Sequence, residues 1–250
     1  MMKRALTIAL ATTWVVSFAH SWVHAESILP GSAKLRPGAL QPGNEAMESF
    51  RLENGTKIPV ATITRTVTFE KQGTTPVVRI VTRNRSGLAD SSRSETVVDA
   101  TTYALISERV RATGDSGQVA YADGNLKGWT HAERDSLHHI EFKNVASTFP
   151  DDGALPWLVS ALPLAIGAKF EILSFNMWVK QEVPLSYTVV REDTVRYRNV
   201  LDTCWVVQVT GRGGPPGFDY FNWVSQRTHQ LLKAAFLRRD AQAQFWIKRL

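Results

Sequence analysis

Four threonines, Thr62, Thr64, Thr66 and Thr68, fall on alternate positions, with Ile63, Arg65, Val67 and Phe69 between them. A side-chain period of two belongs to the β-strand, where successive residues point to opposite faces. The alternation returns more cleanly in Val183, Leu185, Tyr187 and Val189, set against Pro184, Ser186 and Thr188. Such half-buried strands are typical of antiparallel sheets. Further strands are predicted at residues 47–53, 76–84, 94–99, 103–112, 118–122, 137–142, 169–175, 194–200, 204–210, 220–224, 231–238 and 244–250. Turn residues separate them at Asn54-Gly55, Gly73, Gly87, residues 114–117, Asp123-Gly124-Asn125 and residues 211–217. A sheet of more than about ten strands curls, splits or closes rather than staying flat. The expected fold class is therefore mainly β, a strongly curved antiparallel sheet.

Residues 151–163 break the rhythm. An Asp can cap a helix, Pro156 suits a first turn and Pro163 ends it, which predicts a helix over 154–162. Almost every side chain in it is apolar, so it has no wet face and must be enclosed. The concave side of the sheet is the available enclosure, giving an open half-barrel around one short apolar helix. Asp151 and Asp152 serve the helix N-terminus, whose free amides favour negative charge, rather than forming a catalytic carboxylate pair.

Residues 1–25 carry Lys3 and Arg4, an apolar run from Ala5 to Val16, and Val23-His24-Ala25 at the end, the pattern of a secretory signal peptide. The run is shorter than the roughly 20 residues that cross a bilayer, and no transmembrane segment is expected in the mature chain. Residues 26–44, with Pro30, Gly31, Pro37, Gly38, Pro42 and Gly43, read as an extended lead-in, and 45–250 as a single β half-barrel domain. The expected location is the periplasm or the exterior. A chain that is 44% hydrophobic and 21% charged is neither disordered nor an integral membrane protein. Cys204 is the only cysteine, so no internal disulfide forms and no cysteine near Ala25 could carry a lipid anchor. Its apolar surroundings mark it as an inert thiol.

Motifs for chemistry fail on inspection. Gly114-Asp115-Ser116-Gly117 resembles the nucleophile tetrapeptide of chymotrypsin-like proteases, but in that order the catalytic His precedes the Ser. Only His20 and His24 do so here, both inside the signal segment. Asp115-Ser116-Gly117 is read as a hairpin turn. His131, Glu133, Asp135, His138 and His139 match no compact zinc spacing, and on a strand His138 and His139 face opposite ways. Residues 211–217 lack the Gly-Lys-Ser/Thr of a phosphate loop. The sequence therefore calls for no catalytic residue, no metal and no cofactor.

The formal charge of +6 invites a nucleic-acid reading. Lys3 and Arg4 belong to the export signal, however, and Arg79, Arg83, Arg85, Arg191, Arg196, Arg198, Arg238 and Arg239 are dispersed and broken by Glu192, Asp193 and Asp240. No nucleic-acid partner is expected. Six tryptophans, Trp129, Trp157, Trp178, Trp205, Trp223 and Trp246, follow residue 25. A large aromatic stock on a curved sheet suits either a core or an apolar ligand.

In the C-terminal half, Leu162-Pro163-Leu164 precedes Gly167, a strand carries Phe170 and Phe175, and the alternating strand through Val190 leads to Glu192 and Val195. Asp202-Thr203-Cys204-Trp205-Val206-Val207, Phe221-Asn222-Trp223-Val224-Ser225 and Leu231-Leu232-Lys233 follow. This set resembles an uncharacterised family of exported bacterial domains of unknown function. The resemblance implies an open antiparallel half-barrel with helical cover, like that of the periplasmic lipoprotein carriers, and carries no catalytic residue with it. The expected function is binding of an apolar ligand, a lipid or acyl chain, in the sheet's groove without catalysis, with Trp157, Leu158 and Tyr187 as its lining. The alternative is a self-filled groove in an envelope structural or interaction module with a protein partner.

Overall fold

A computed structural model describes residues 25–86, 89–133, 135–143, 145–150, 155–211, 218–238 and 244–249. The predicted signal peptide up to His24, the Asp151-Asp152 cap, Gly87 and the glycine-rich connection at 212–217 lie outside the described residues.

The chain opens on β1 (Glu26–Ile28) and continues as a meander of β2 (Gly43–Glu53), β3 (Thr56–Gln72), β4 (Thr75–Ser86), β5 (Ala89–Asp99), β6 (Leu105–Ala112), β7 (Ser116–Ala122), β8 (Asn125–His131) and β9 (His138–Phe142). The short β10 (Phe149–Pro150) leads to α1 (Leu155–Ala161). A second meander follows: β11 (Lys169–Asn176), β12 (Gln181–Tyr197), β13 (Val200–Gly211), β14 (Phe218–Ser225), β15 (Leu231–Arg238) and β16 (Gln244–Arg249). One hydrogen-bonded path runs from β11 to β16, crosses to β2 through antiparallel pairs such as Ile247↔Ser49, and ends at β9. Among the described residues β9 and β11 are not paired with each other, so the sheet is open, the half-barrel expected from the enclosed helix and the family resemblance. The outer edge of β11 is covered by β1 and β10, both parallel to it. Among the described residues no helix is long and apolar enough to cross a membrane.

Bulges supply curvature. Pairing skips Val60 in β3, Ser91 in β5, Ile106 in β6, Val190 in β12 and Leu232 in β15. An extra unpaired residue bends its strand and increases the local twist. Pro59, which has no N–H for the ladder, sits beside the bulge at Val60. The strand predicted from 103 begins instead at Leu105, because Tyr103 turns with φ 60° after Asp99, whose Oδ1 accepts from the Thr101 and Thr102 amides. Likewise the turn predicted at Asp115 to Gly117 closes earlier, at Thr113-Gly114, and Ser116 and Gly117 enter β7.

The helix is enclosed as its composition demands. Trp157 to Leu162 are all buried, and all but Ser160 cluster with Val67 of β3, Val78 and Ile80 of β4, Phe170 and Ile172 of β11, Tyr187 and Val189 of β12, and Val224 of β14. The lead-in closes over it: Leu35 and Leu40 are buried there, and the Arg36 amide donates to the Ala161 carbonyl at 2.8 Å. A second cluster bridges the open seam. Leu105, Val110, Val119, Leu126 and Ile140, from β6 to β9, meet Phe175 and Met177, with Phe142 edge-on to Phe175 at 5.7 Å. Gly117 makes room for Met177, since a Cβ there would lie 2.8 Å from its sulfur, and Gly128 is tighter still, since a Cβ there would collide with the Gln118 carbonyl oxygen.

A third cluster, with Cys204, Val206 and Trp223, lies on the opposite face of β13 from Val207. At its border the Trp223 indole N–H donates to Asp193 at 2.9 Å and joins Arg191 in holding that carboxyl down to about 2.

Two predictions follow from these contacts. Gly128→Ala forces backbone apart and costs about 1–3 kcal/mol, read as a lowered midpoint in urea. Asp193, depressed from its ordinary 3.8, contributes stability that is present above pH 4 and lost as pH falls toward 2. It amounts to about 1 kcal/mol once solvent screening is allowed for. Trp223→Phe removes the donor, so the gap in Tm between variant and parent narrows between pH 5 and pH 2; a gap constant with pH would rule out this linkage.

Candidate functional site

The predicted lining residues come together in the helix chamber. Trp157, Leu158 and Tyr187 belong to one cluster and are 4%, 1% and 1% exposed. Trp157 stands edge-on to Tyr103 at 5.6 Å, and the Tyr103 hydroxyl donates to the Arg36 carbonyl at 3.2 Å. The space beside Trp157 is about 30 Å³, bounded also by Leu40, Arg65, Ser160 and Leu231. That is room for a water or two. Arg65, 5% exposed, reaches Glu45 at 3.7 Å, and Glu45 also meets Arg249 at 3.0 Å. Burial pushes the Arg65 pKa below its ordinary value; Glu45 opposes the shift and Arg249 adds to it.

A cavity of about 350 Å³ lies elsewhere, on the concave face of β3 to β6, with Ile63, Thr82, Asn84, Ser94, Val110 and Trp178 in its lining. None of the three predicted residues borders it. Its lining follows from a gradient along the inward register of two paired strands. In β4 the inward positions run Val78, Ile80, Thr82, Asn84, and in β5 they run Val98, Thr96, Ser94, Ser92. The pairs Ile80↔Thr96, Thr82↔Ser94 and Asn84↔Ser92 place the two polar ends side by side. The wall thus passes from aliphatic at the helix to hydroxyl and amide away from it. Val110, Ala112 and Trp178 keep the β6 side apolar, Ile63 lies across the polar strip in β3, and Arg93 and Asp115 also border the space. Thr82 Oγ1 and Asn84 Oδ1 are buried without a hydrogen-bond partner among the described residues. The sequence signal was the small polar residue at alternate positions, but which face is concave depends on pairing that a single strand does not reveal.

The chemistry-bearing residues are dispersed or structural. His138 Nε2 sits 2.7 Å from Asp135, which lowers the Asp135 pKa, and the Glu133 amide donates to Asp115 at 3.1 Å. Among the described residues no three His, Cys, Asp or Glu side chains gather as a metal site. Burial, helped by the Asp202 and Asp193 carboxylates, pushes the Cys204 thiol up to about 12, so no thiolate nucleophile forms there. Asp202 accepts from the Ser225 hydroxyl at 2.9 Å and from Arg227 at 3.1 Å, while Ser225 Oγ accepts the Thr228 amide at 3.0 Å. Asp202 and Ser225, both in the C-terminal motif set, thereby pin the start of β13 to the β14–β15 turn.

Comparison with known proteins gives a family and distant structural likenesses. A comparison with curated proteins finds no match. A β-barrel-like protein of the domain of unknown function DUF1849 from Brucella abortus is 13% identical over 86% of this chain and 97% of its own, with a TM-score of 0.48. A protein with a YmcC-like fold from Bacteroides fragilis is 12% identical over 86% of this chain and 96% of its own, with a TM-score of 0.34. For the hypothetical lipoprotein YmcC from Escherichia coli the values are 12%, 82%, 86% and 0.30. The family model of the protein of unknown function DUF3108 matches residues 49–249, so it takes in the concave strands, the helix and the Asp202–Ser225 anchor alike, and the chain belongs to that family.

Proposed function

We propose that this chain is an exported binding protein of the cell envelope that takes an amphipathic, lipid-like molecule on the concave face of its sheet, without catalysis. One observation carries the reading: α1 leaves only about 30 Å³ beside Trp157, whereas β3 to β6 keep about 350 Å³ open. The larger volume falls within the range of small-molecule sites. Its mixed lining fits a guest with both an apolar and a polar part. The acyl portion lies along Val110 and Trp178, and the polar portion meets Thr82, Asn84 and Ser94. An apolar guest contacting Trp157, Leu158 and Tyr187 requires α1 to withdraw first. The second reading, a self-filled interaction module with an envelope protein partner, draws on the close burial of those same three residues.

Native mass spectrometry of the protein purified from its own export compartment separates the two. The binding reading expects an added mass of lipid size, lost in Ser94→Trp, which fills the cavity, and retained in Leu158→Ala. Leu158→Ala costs about 2–5 kcal/mol of stability because its site is fully packed. A guest-free mass in the parent protein, with equal thermal stability before and after delipidation, rejects binding and leaves the interaction module.

A further inference from the structure

The convex face of the same strands carries a row of arginines. In the register of β4, β5 and β6, Arg83 stands opposite Arg93 and Arg93 opposite Arg111. Neighbouring strands are about 4.8 Å apart, so three guanidinium-bearing side chains rise from adjacent positions on one face. Arg109 lies two residues along β6 from Arg111, opposite Glu95. All four arginines are exposed. Glu95 is engaged by Arg79 and lies 3.5 Å from Arg93, while Arg83, Arg109 and Arg111 have no ion-pair partner among the described residues. Like charges directly opposite on a sheet are destabilising. These strands are interior to the sheet, so protection of an edge does not account for them. Arg93, Glu95, Arg109 and Arg111 bound a pit of about 90 Å³. Further along the same face, Arg109 pairs with Gln118 and Gln118 with Trp129, a half-buried indole.

We propose that this arginine row docks the protein on a bilayer surface bearing anionic phospholipid head groups. Guanidinium forks match phosphate oxygens bidentately, and their spacing offers several head groups at once what a lone arginine offers one. An indole beside them suits the head-group layer, where one end of the ring is apolar and the other wet. Arg93 also borders the concave cavity, but Arg83, Arg109 and Arg111 do not, so the docking does not require a guest there.

The test is co-sedimentation of the full chain with vesicles of equal parts phosphatidylglycerol and phosphatidylcholine, against pure phosphatidylcholine. The anionic vesicles alone should retain the protein at about 0.1 M salt and release it at about 0.5 M. Arg83→Gln, Arg93→Gln and Arg111→Gln together should weaken partition on the order of a hundredfold. The charge-matched Lys169→Gln, Arg196→Gln, Arg198→Gln variant, at exposed positions of β11, β12 and the turn after β12, should change it by about threefold at most. The row variant should melt at or above the parent temperature, which separates lost docking from lost folding; if it does not fold, Arg111→Glu alone gives the same reading. Absent binding to anionic vesicles, equal weakening by both variants, or release by inorganic phosphate at an ionic strength where chloride does not release overturns the proposal. That last outcome would make the pit a soluble-phosphate site.

Discussion

The structure depends on filling the concave side of a bent sheet. A helix of seven residues does not hold itself together in water, and α1 is apolar on every side, so its existence rests on packing. The sheet in turn needs it: Val67, Ile80, Ile172, Val189 and Val224 come from strands far apart along the hydrogen-bonded path and meet through the helix. The lead-in is the third partner. Its Leu35 and Leu40 cover the remaining side, and its Arg36 amide satisfies the Ala161 carbonyl, one of the helix-end acceptors with no donor inside the helix.

Where the filler stops, the wall changes composition. An aliphatic wall facing an unfilled space loses dispersion contacts and gains nothing from water. Hydroxyls and amides there can be solvated, so Thr82, Asn84, Ser92 and Ser94 suit a space that protein does not occupy. The seam between β9 and β11 is closed by side chains rather than by strand pairing. Phe175 and Met177 seat against β6 to β9, with Gly117 yielding the volume Met177 needs. The open path thereby gains a second core without becoming a barrel.

Much of this is legible in the chain. The threonine alternation gives β3, the Val183–Val189 alternation gives β12, and the almost wholly apolar stretch after Gly153 gives a helix that must be wrapped. What stays hidden is whatever depends on a partner strand. β1 and β10 are too short to establish a period, and they are strands only because β11 offers its edge. The bulges at Ser91 and Ile106 exist relative to a neighbour and leave no local mark. Apolar character alone selects Trp157, Leu158 and Tyr187, and the same character seats them in the helix chamber. The cavity wall is written in small polar residues, which in one strand look like ordinary solvent-facing positions.

A single irregularity decides how the two faces of β6 are used. Leu105 and Glu108 are both buried although their spacing of three would send them to opposite sides of a regular strand. The bulge at Ile106 absorbs the odd residue, after which Glu108, Val110 and Ala112 share the concave face and Arg109 and Arg111 share the convex one. Without it the register past Ser107 would invert, turning the arginines toward the cavity and Val110 toward water. β4 needs no such device along the same stretch, where Ile80, Thr82 and Asn84 alternate regularly with Arg79, Val81 and Arg83. The polar cavity wall and the arginine row are thus tied by one extra residue, which lets strands β4 to β6 present two unrelated chemistries.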